Sequence, residues 1–199
     1  VLFNQALANT TIYTIGTLLI LIPLPLVLAV LLDSGRVVQS TVFRTLIFLP
    51  ALTSLVVAGT VFRLILAEDG FLNLFLTSLF GVQPLRWLEV SDLALPSLIL
   101  VATWRWTGIN ILYFNSGLVN ISKDLYEAAV IDGASAFQMF WRITLPLLRP
   151  TTLFVVVLSI IGGYQVFVEP FILYTGGGGP GDGGLTMALL IYRTAFTSF

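Results

Sequence analysis

The sequence predicts an all-α membrane protein: a polytopic helical bundle with four transmembrane helices, interfacial helices beside them and a helix–turn–helix loop on the inner face. Three observations carry this. Only 10% of the 199 residues are charged, whereas a soluble domain carries roughly 25%. Hydrophobic residues make up 57% of the chain and its mean hydropathy is +1.00. The apolar residues also gather into stretches of about 20, the length that crosses a bilayer. Too little charge remains to cover a surface facing water, so lipid is the main solvent.

The first span runs from Thr11 to Leu32 without a charge, and Pro23 and Pro25 lie inside it. A bilayer helix tolerates such prolines when neighbouring groups satisfy the carbonyls they free. The second span covers Thr45–Leu66, the third Leu93–Val119 and the fourth Pro150–Tyr174. Phe71–Phe80 is too short to cross and is expected to lie in the interface. Leu185–Phe199 is either a short interfacial helix or the lead-in to a further span.

Loop charge sets the orientation. Arg36 and Arg44 with Asp33 follow the first span, and Lys123, Arg142 and Arg149 follow the third. Glu68, Asp69, Arg86, Glu89 and Asp92 follow the second, and Asp182 follows the fourth. Lys and Arg gather in cytoplasmic loops, so the first set faces the cytoplasm, and the amino end and Gly176–Gly184 face outward. The whole of 1–199 reads as one membrane domain, with residues 120–149 as its cytoplasmic loop. The chain starts Val1-Leu2-Phe3 with no basic segment ahead of an apolar one and stops at Phe199 in structured sequence, and so reads as an internal piece of a longer protein.

Composition also removes function classes. There is no cysteine and no histidine, so disulfides, thiolate metal sites and the commonest general base are excluded. A net charge of −1 without a basic tract points away from nucleic acid. No Gly-x-x-x-x-Gly-Lys-[Ser/Thr] phosphate loop occurs, and no nucleophile–base pair marks an active site.

The loop between spans three and four holds the most informative motif. Ser122 is placed to cap a helix, with Asp124 in its first turn where the dipole favours an anion. Gly133 falls where that helix ends in a left-handed residue. A second helical stretch then covers Ala134–Ile143, and Pro146 and Pro150 mark the return into the membrane. Ala128 and Ala129 leave room for another protein's backbone, and Glu127 offers a carboxylate to a partner's donors.

The spacing is specific: Glu127-Ala128-Ala129, three residues, Gly133, nine residues, Ile143, one residue, Leu145-Pro146. It resembles the signature of the binding-protein-dependent ABC importer permeases. An ordinary loop helix accounts for Glu-Ala-Ala, but not for the later Gly and Ile-x-Leu-Pro at these offsets. Asn9-Thr10, Phe43-Arg44-Thr45, Leu49-Pro50, Trp104, Thr175–Pro180, Leu185-Thr186 and Ile191–Phe196 are similar to sugar-type permeases in the same order, with Tyr126–Pro146 particularly similar to maltose-type subunits. The usual Thr-x-Gly-Gly-Pro turn is lengthened here by extra glycines.

The resemblance implies a non-catalytic permease in a prokaryotic plasma membrane. Its first and last spans would be missing from this piece. Tyr126, Glu127, Ala128, Ala129, Asp132, Gly133, Ile143, Leu145 and Pro146 would form the helix that couples to a partner ATPase. The chain would hold no cofactor of its own, and ATP and Mg would sit on two nucleotide-binding partner subunits. A second, related permease would complete a heterodimer, and an extracytoplasmic binding protein would deliver the sugar. Polar groups within the spans tend to face a cavity. The candidate pathway residues are Trp104, Trp106, Asn110, Ser159, Gly163, Tyr164, Gln165 and Glu169, because a sugar needs aromatic faces together with amides or hydroxyls. Arg105 and Glu169 are expected to pair with each other or with the sister subunit. A phosphorylated polyol or a peptide is the alternative solute. An ion-coupled transporter is disfavoured by the absence of histidine and by the single intramembrane acid.

Overall fold

Prolines set the joints of the bundle. The computed structural model describes residues 1–33 and 40–196 and is helical at nearly every expected position. Arg36 lies outside the described residues. Helix α1 (Leu2–Leu21) runs into α2 (Pro23–Asp33), and Leu2–Asp33 is, among the described residues, the one helix long and apolar enough to cross a membrane by itself. Pro25 has no N–H for the carbonyl of Leu21. Asn110 of a neighbouring helix fills that place, its Nδ2 donating to Leu21 O at 2.9 Å.

The expected second span is not one helix. Helices α3 (Ser40–Leu52) and α4 (Leu55–Ile65) meet at a break, and their spanning parts turn through 101°. Pro50 weakens the last turn of α3 and Ser54 leaves the helical region, with φ −56° and ψ 133°. The Arg105 guanidinium donates to Thr53 O at 2.7 Å, holding the carbonyl at the break.

Helix α5 (Phe71–Phe80) occupies the interfacial stretch, with Phe71, Leu74, Phe75, Leu79 and Phe80 exposed and Asn73 buried. Asn73 is a hub. Its Nδ2 donates to the carbonyls of Ala67, Glu68 and Leu85, and its Oδ1 accepts from Leu85 N–H and the Trp87 indole, all at 2.8–3.1 Å. Arg86 joins Glu68 at 3.3 Å and Glu89 at 3.9 Å over the same turn.

Helix α6 (Ser91–Val119) is the 29-residue axis, packed chiefly by α1, α2 and α3 around it. It is more polar than its neighbours because much of it faces protein: Ser97, Thr107 and Asn110 are buried beside Leu98, Val101 and Phe114. At Gly108 the α3 backbone comes so close that a Cβ would strike the carbonyl of Ile47.

The loop after α6 forms α7 (Lys123–Ile131), α8 (Ala136–Met139), a π turn at Phe140–Thr144 and α9 (Leu145–Leu147). Helix α10 (Arg149–Tyr164) follows, bent 65° from the Ala136–Leu147 stretch. The expected fourth span therefore stops at Tyr164. The chain turns at Gln165–Phe167 before α11 (Val168–Leu173), whose Pro170 has no N–H for the carbonyl of Val166. The Thr186 hydroxyl donates to that carbonyl at 2.8 Å. Helix α12 (Met187–Phe196) ends the described chain.

The two larger of three apolar clusters among the described residues divide the bundle lengthwise, and the third joins Ala6 to Leu185 and Leu189. Tyr13, Phe62, Leu66, Leu98, Val101 and Tyr174 gather at the end bearing the Gly-rich loop. Leu26, Leu32, Phe114, Leu148 and Val155 gather toward the Glu127 loop. Leu19, Leu64 and Leu153 stand 65–71% exposed, as side chains in lipid do.

Candidate functional site

Two features follow from this architecture, a loop at one end and a cavity between the apolar clusters. In the loop, the Ser122 hydroxyl accepts from Asp124 N–H at 3.2 Å and starts α7. The helix ends at Gly133 with φ +76°, where a side chain would be strained. Ala134 N–H returns to Ala129 O at 2.9 Å and Gly133 N–H to Val130 O at 3.0 Å. This pair of bonds is the Schellman closure, which satisfies the last carbonyls of a helix. Ser135 and Gln138 then cap α8 reciprocally, at 2.7 and 3.3 Å. Helix resumes at Ala136, two residues later than expected, because the turn consumes Ala134 and Ser135. Pro146 cannot donate to Arg142 O, and the chain widens into the π turn just before it.

The structure sorts the signature residues by direction. Tyr126 and Leu145 pack against the lower core, and the Tyr126 hydroxyl meets Thr144 Oγ1 at 2.8 Å. Ile143 and Pro146 are half-buried beside them, as is Ala129. Glu127, Ala128, Asp132 and Gly133 are exposed, flanked by the open apolar faces of Ile131 and Phe137, 86% and 71% exposed. Some signature residues anchor the loop while others are presented.

The cavity, of about 440 Å³, lies between α1, α6, α10 and α11. Trp106, Asn110, Ser159, Gly163, Gln165 and Glu169 all line it. Gly163 lets α10 press against Thr14, where a Cβ would meet the Thr14 side chain. Two expected residues lie elsewhere. Trp104, two positions from Trp106 and so on another face of α6, packs edge-on against Phe62 at 5.1 Å. Tyr164 turns to α1 and shares a 3.1 Å hydrogen bond with the Thr11 hydroxyl. Arg105 and Glu169 make no ion pair among the described residues. The Thr53 carbonyl draws the guanidinium away, and Arg105 instead lies 5.7 Å from the centre of the Trp106 ring. Glu169 is buried beside the same indole.

Sequence reasoning missed Tyr13 and Thr17, which complete the cavity from α1, and Tyr113 from α6. The signal was present. Thr10, Tyr13, Thr14 and Thr17 follow the i, i+3, i+4, i+7 spacing of one helix face, and all four are buried. A polar stripe on a lipid-bound helix turns inward.

The Gly-rich loop is fastened to the same helix. Gln5 Nε2 donates to Gly181 O at 2.8 Å, and Asn9 Nδ2 to Asp182 O and Leu185 O at 2.9 and 3.1 Å. Thr10 Oγ1 accepts from Met187 N–H at 2.9 Å, and Arg193 closes the loop on Asp182 at 2.7 Å.

The chain is 46% identical over 193 residues to the arabinooligosaccharides transport system permease protein AraP of Bacillus subtilis, covering 96% of this chain and 61% of that protein. It is 38% identical over 196 residues to the lactose transport system permease protein LacF of Rhizobium radiobacter, covering 98% and 65%. The chain thus spans less than two thirds of the length of these relatives. Its fold matches a bacterial alginate ABC transporter solved with an alginate pentasaccharide-bound periplasmic protein, at a TM-score of 0.83 and 25% identity over 98% of this chain and 68% of that one. The model of the binding-protein-dependent transport system inner membrane components matches residues 6–198, and the chain belongs to that family.

Proposed function

We propose that the chain forms part of the translocation path of an ATP-driven importer for a saccharide delivered by an extracytoplasmic binding protein. The Glu127 loop carries the reading. Its capped helix and left-handed closure present Glu127, Ala128, Asp132 and Gly133 outward while Tyr126 and Leu145 tie it to the core. Such a loop moves with the bundle as a unit. Exposed Ile131 and Phe137 beside a carboxylate suit a protein partner that buries them. The partners in this reading are two ATPase subunits, which hold ATP and Mg, and a second, related permease. The Glu127 loop faces the cytoplasm and the Gly-rich loop the outside, as the loop charges require. The transport named for AraP and LacF supports the saccharide, and the cavity's indole, amides and hydroxyls match its surface.

The test is coupling. In the complete transporter in proteoliposomes, Glu127→Lys with Gly133→Asp is expected to abolish saccharide uptake while both permeases still insert and the ATPases still hydrolyse ATP. Uptake at the parent rate by this double variant would refute the role.

A further inference from the structure

The cavity wall is unusual in its charge. Glu169 faces it from the first turn of α11, and the residue is only 8% exposed. No Lys or Arg is among the described residues lining the cavity. Arg105 is not among the residues lining the cavity: its guanidinium donates to the Thr53 carbonyl and lies against Trp106, behind the wall, where it attracts the Glu169 carboxylate without facing the space. Around the carboxylate stand Tyr13 and Trp106, with Asn110 and Gln165 further along the wall.

We propose that Glu169 is the specificity-determining residue that admits neutral saccharides to this cavity and turns away their uronic acid counterparts. The inference rests on the saccharide reading above and adds the charge class of the solute. A carboxylate with no cation facing the space has lone pairs to accept from adjacent sugar hydroxyls. A sugar carboxylate in the same half-open, mostly apolar cavity would place like charges together where water screens them less than in bulk. Selectivity of this kind works by repelling the wrong ligand as much as by gripping the right one. Indole stacking from Trp106 is indifferent to the oxidation state of the sugar's C6, so the discrimination falls to Glu169.

Galactotriose and trigalacturonate make the cleanest pair of probes, since they share ring stereochemistry and differ in CH₂OH against carboxylate. The complete permease–ATPase assembly in nanodiscs, without its binding protein, is examined by saturation-transfer NMR with each. Galactotriose is expected to bind at least about tenfold more tightly in the parent protein, and Glu169→Gln to shrink that ratio to about twofold. Gln165→Lys, which adds a cation to the same wall, is expected to move the ratio the same way. The readout is the ratio, so a common loss of affinity does not decide it. If neither sugar binds the parent protein, the saccharide reading itself fails and the inference falls with it. If both bind and trigalacturonate matches galactotriose, the saccharide reading stands and the role of Glu169 is overturned. The same holds if the ratio stays put in Glu169→Gln or, should that variant not assemble, in Gln165→Lys.

Discussion

Asn110 shows how one side chain in a membrane protein can serve two masters. Its amide caps the Leu21 carbonyl that Pro25 leaves without a donor, and the residue still lines the cavity. Arg105 and Thr186 do comparable work at the breaks before α4 and α11. An uncapped carbonyl away from water costs about 1–3 kcal/mol, so these polar residues belong to the joints as much as to any solute. Asn73 is the purest case, with no part in the cavity and hydrogen bonds to Ala67, Glu68, Leu85 and Trp87. Asn73→Ala is expected to cost the α5 hairpin about 3 kcal/mol. Limited proteolysis between Gly81 and Glu89 should then quicken by about a hundredfold, since cleavage tracks the open population. A rate within threefold of the parent would show that α5 holds without its hub. These roles explain the limits of legibility in the sequence. A polar residue in an apolar run declares that it faces protein, but not which carbonyl it meets. Trp104 and Tyr164 therefore read as pathway residues yet pack on Phe62 and Thr11.

At the scale of elements, local chemistry was legible and long-range bending was not. Ser122 and Gly133 are short-range signals and set the boundaries of α7 as expected, whereas the equally local Ser135–Gln138 box went unread and starts α8 two residues later than expected. At the 101° turn between α3 and α4, the carbonyl of Thr53 is held by Arg105, more than fifty positions away. No window of sequence holds both ends of that bond. The inward face of α1 lay between these cases, since the Thr10–Thr17 stripe carries its own periodicity. For the loop the expectation is quantitative. Gly133→Ala puts a Cβ at φ +76°, a cost of about 1 kcal/mol. The Ala134 amide, which closes on Ala129 O, should exchange about fivefold faster with deuterium. Unchanged exchange would mean that the turn finds another conformation at no cost.

Across the described molecule, α6 is continuous, as is the Leu2–Asp33 stretch, where other neighbours are jointed. Twenty-nine residues at 1.5 Å each make a rod about 43 Å long. The α3–α4 pair, the Ala136–Tyr164 stretch and the α10–α11 connection all turn beside it. Spin labels at Asp92 and Asn120 are therefore expected to keep their separation within about 2 Å through the ATP cycle, as an unbroken helix requires. Labels on Val42 and Arg63, across the 101° joint, should report the larger change. A shift at the α6 pair equal to that at the joint would place the motion in the wrong element. The mixture of stiff and articulated members has a mechanical consequence. Torque delivered at Asn120 need not be relayed residue by residue, because a strut carries it to Ser91 intact while the elbows around it yield.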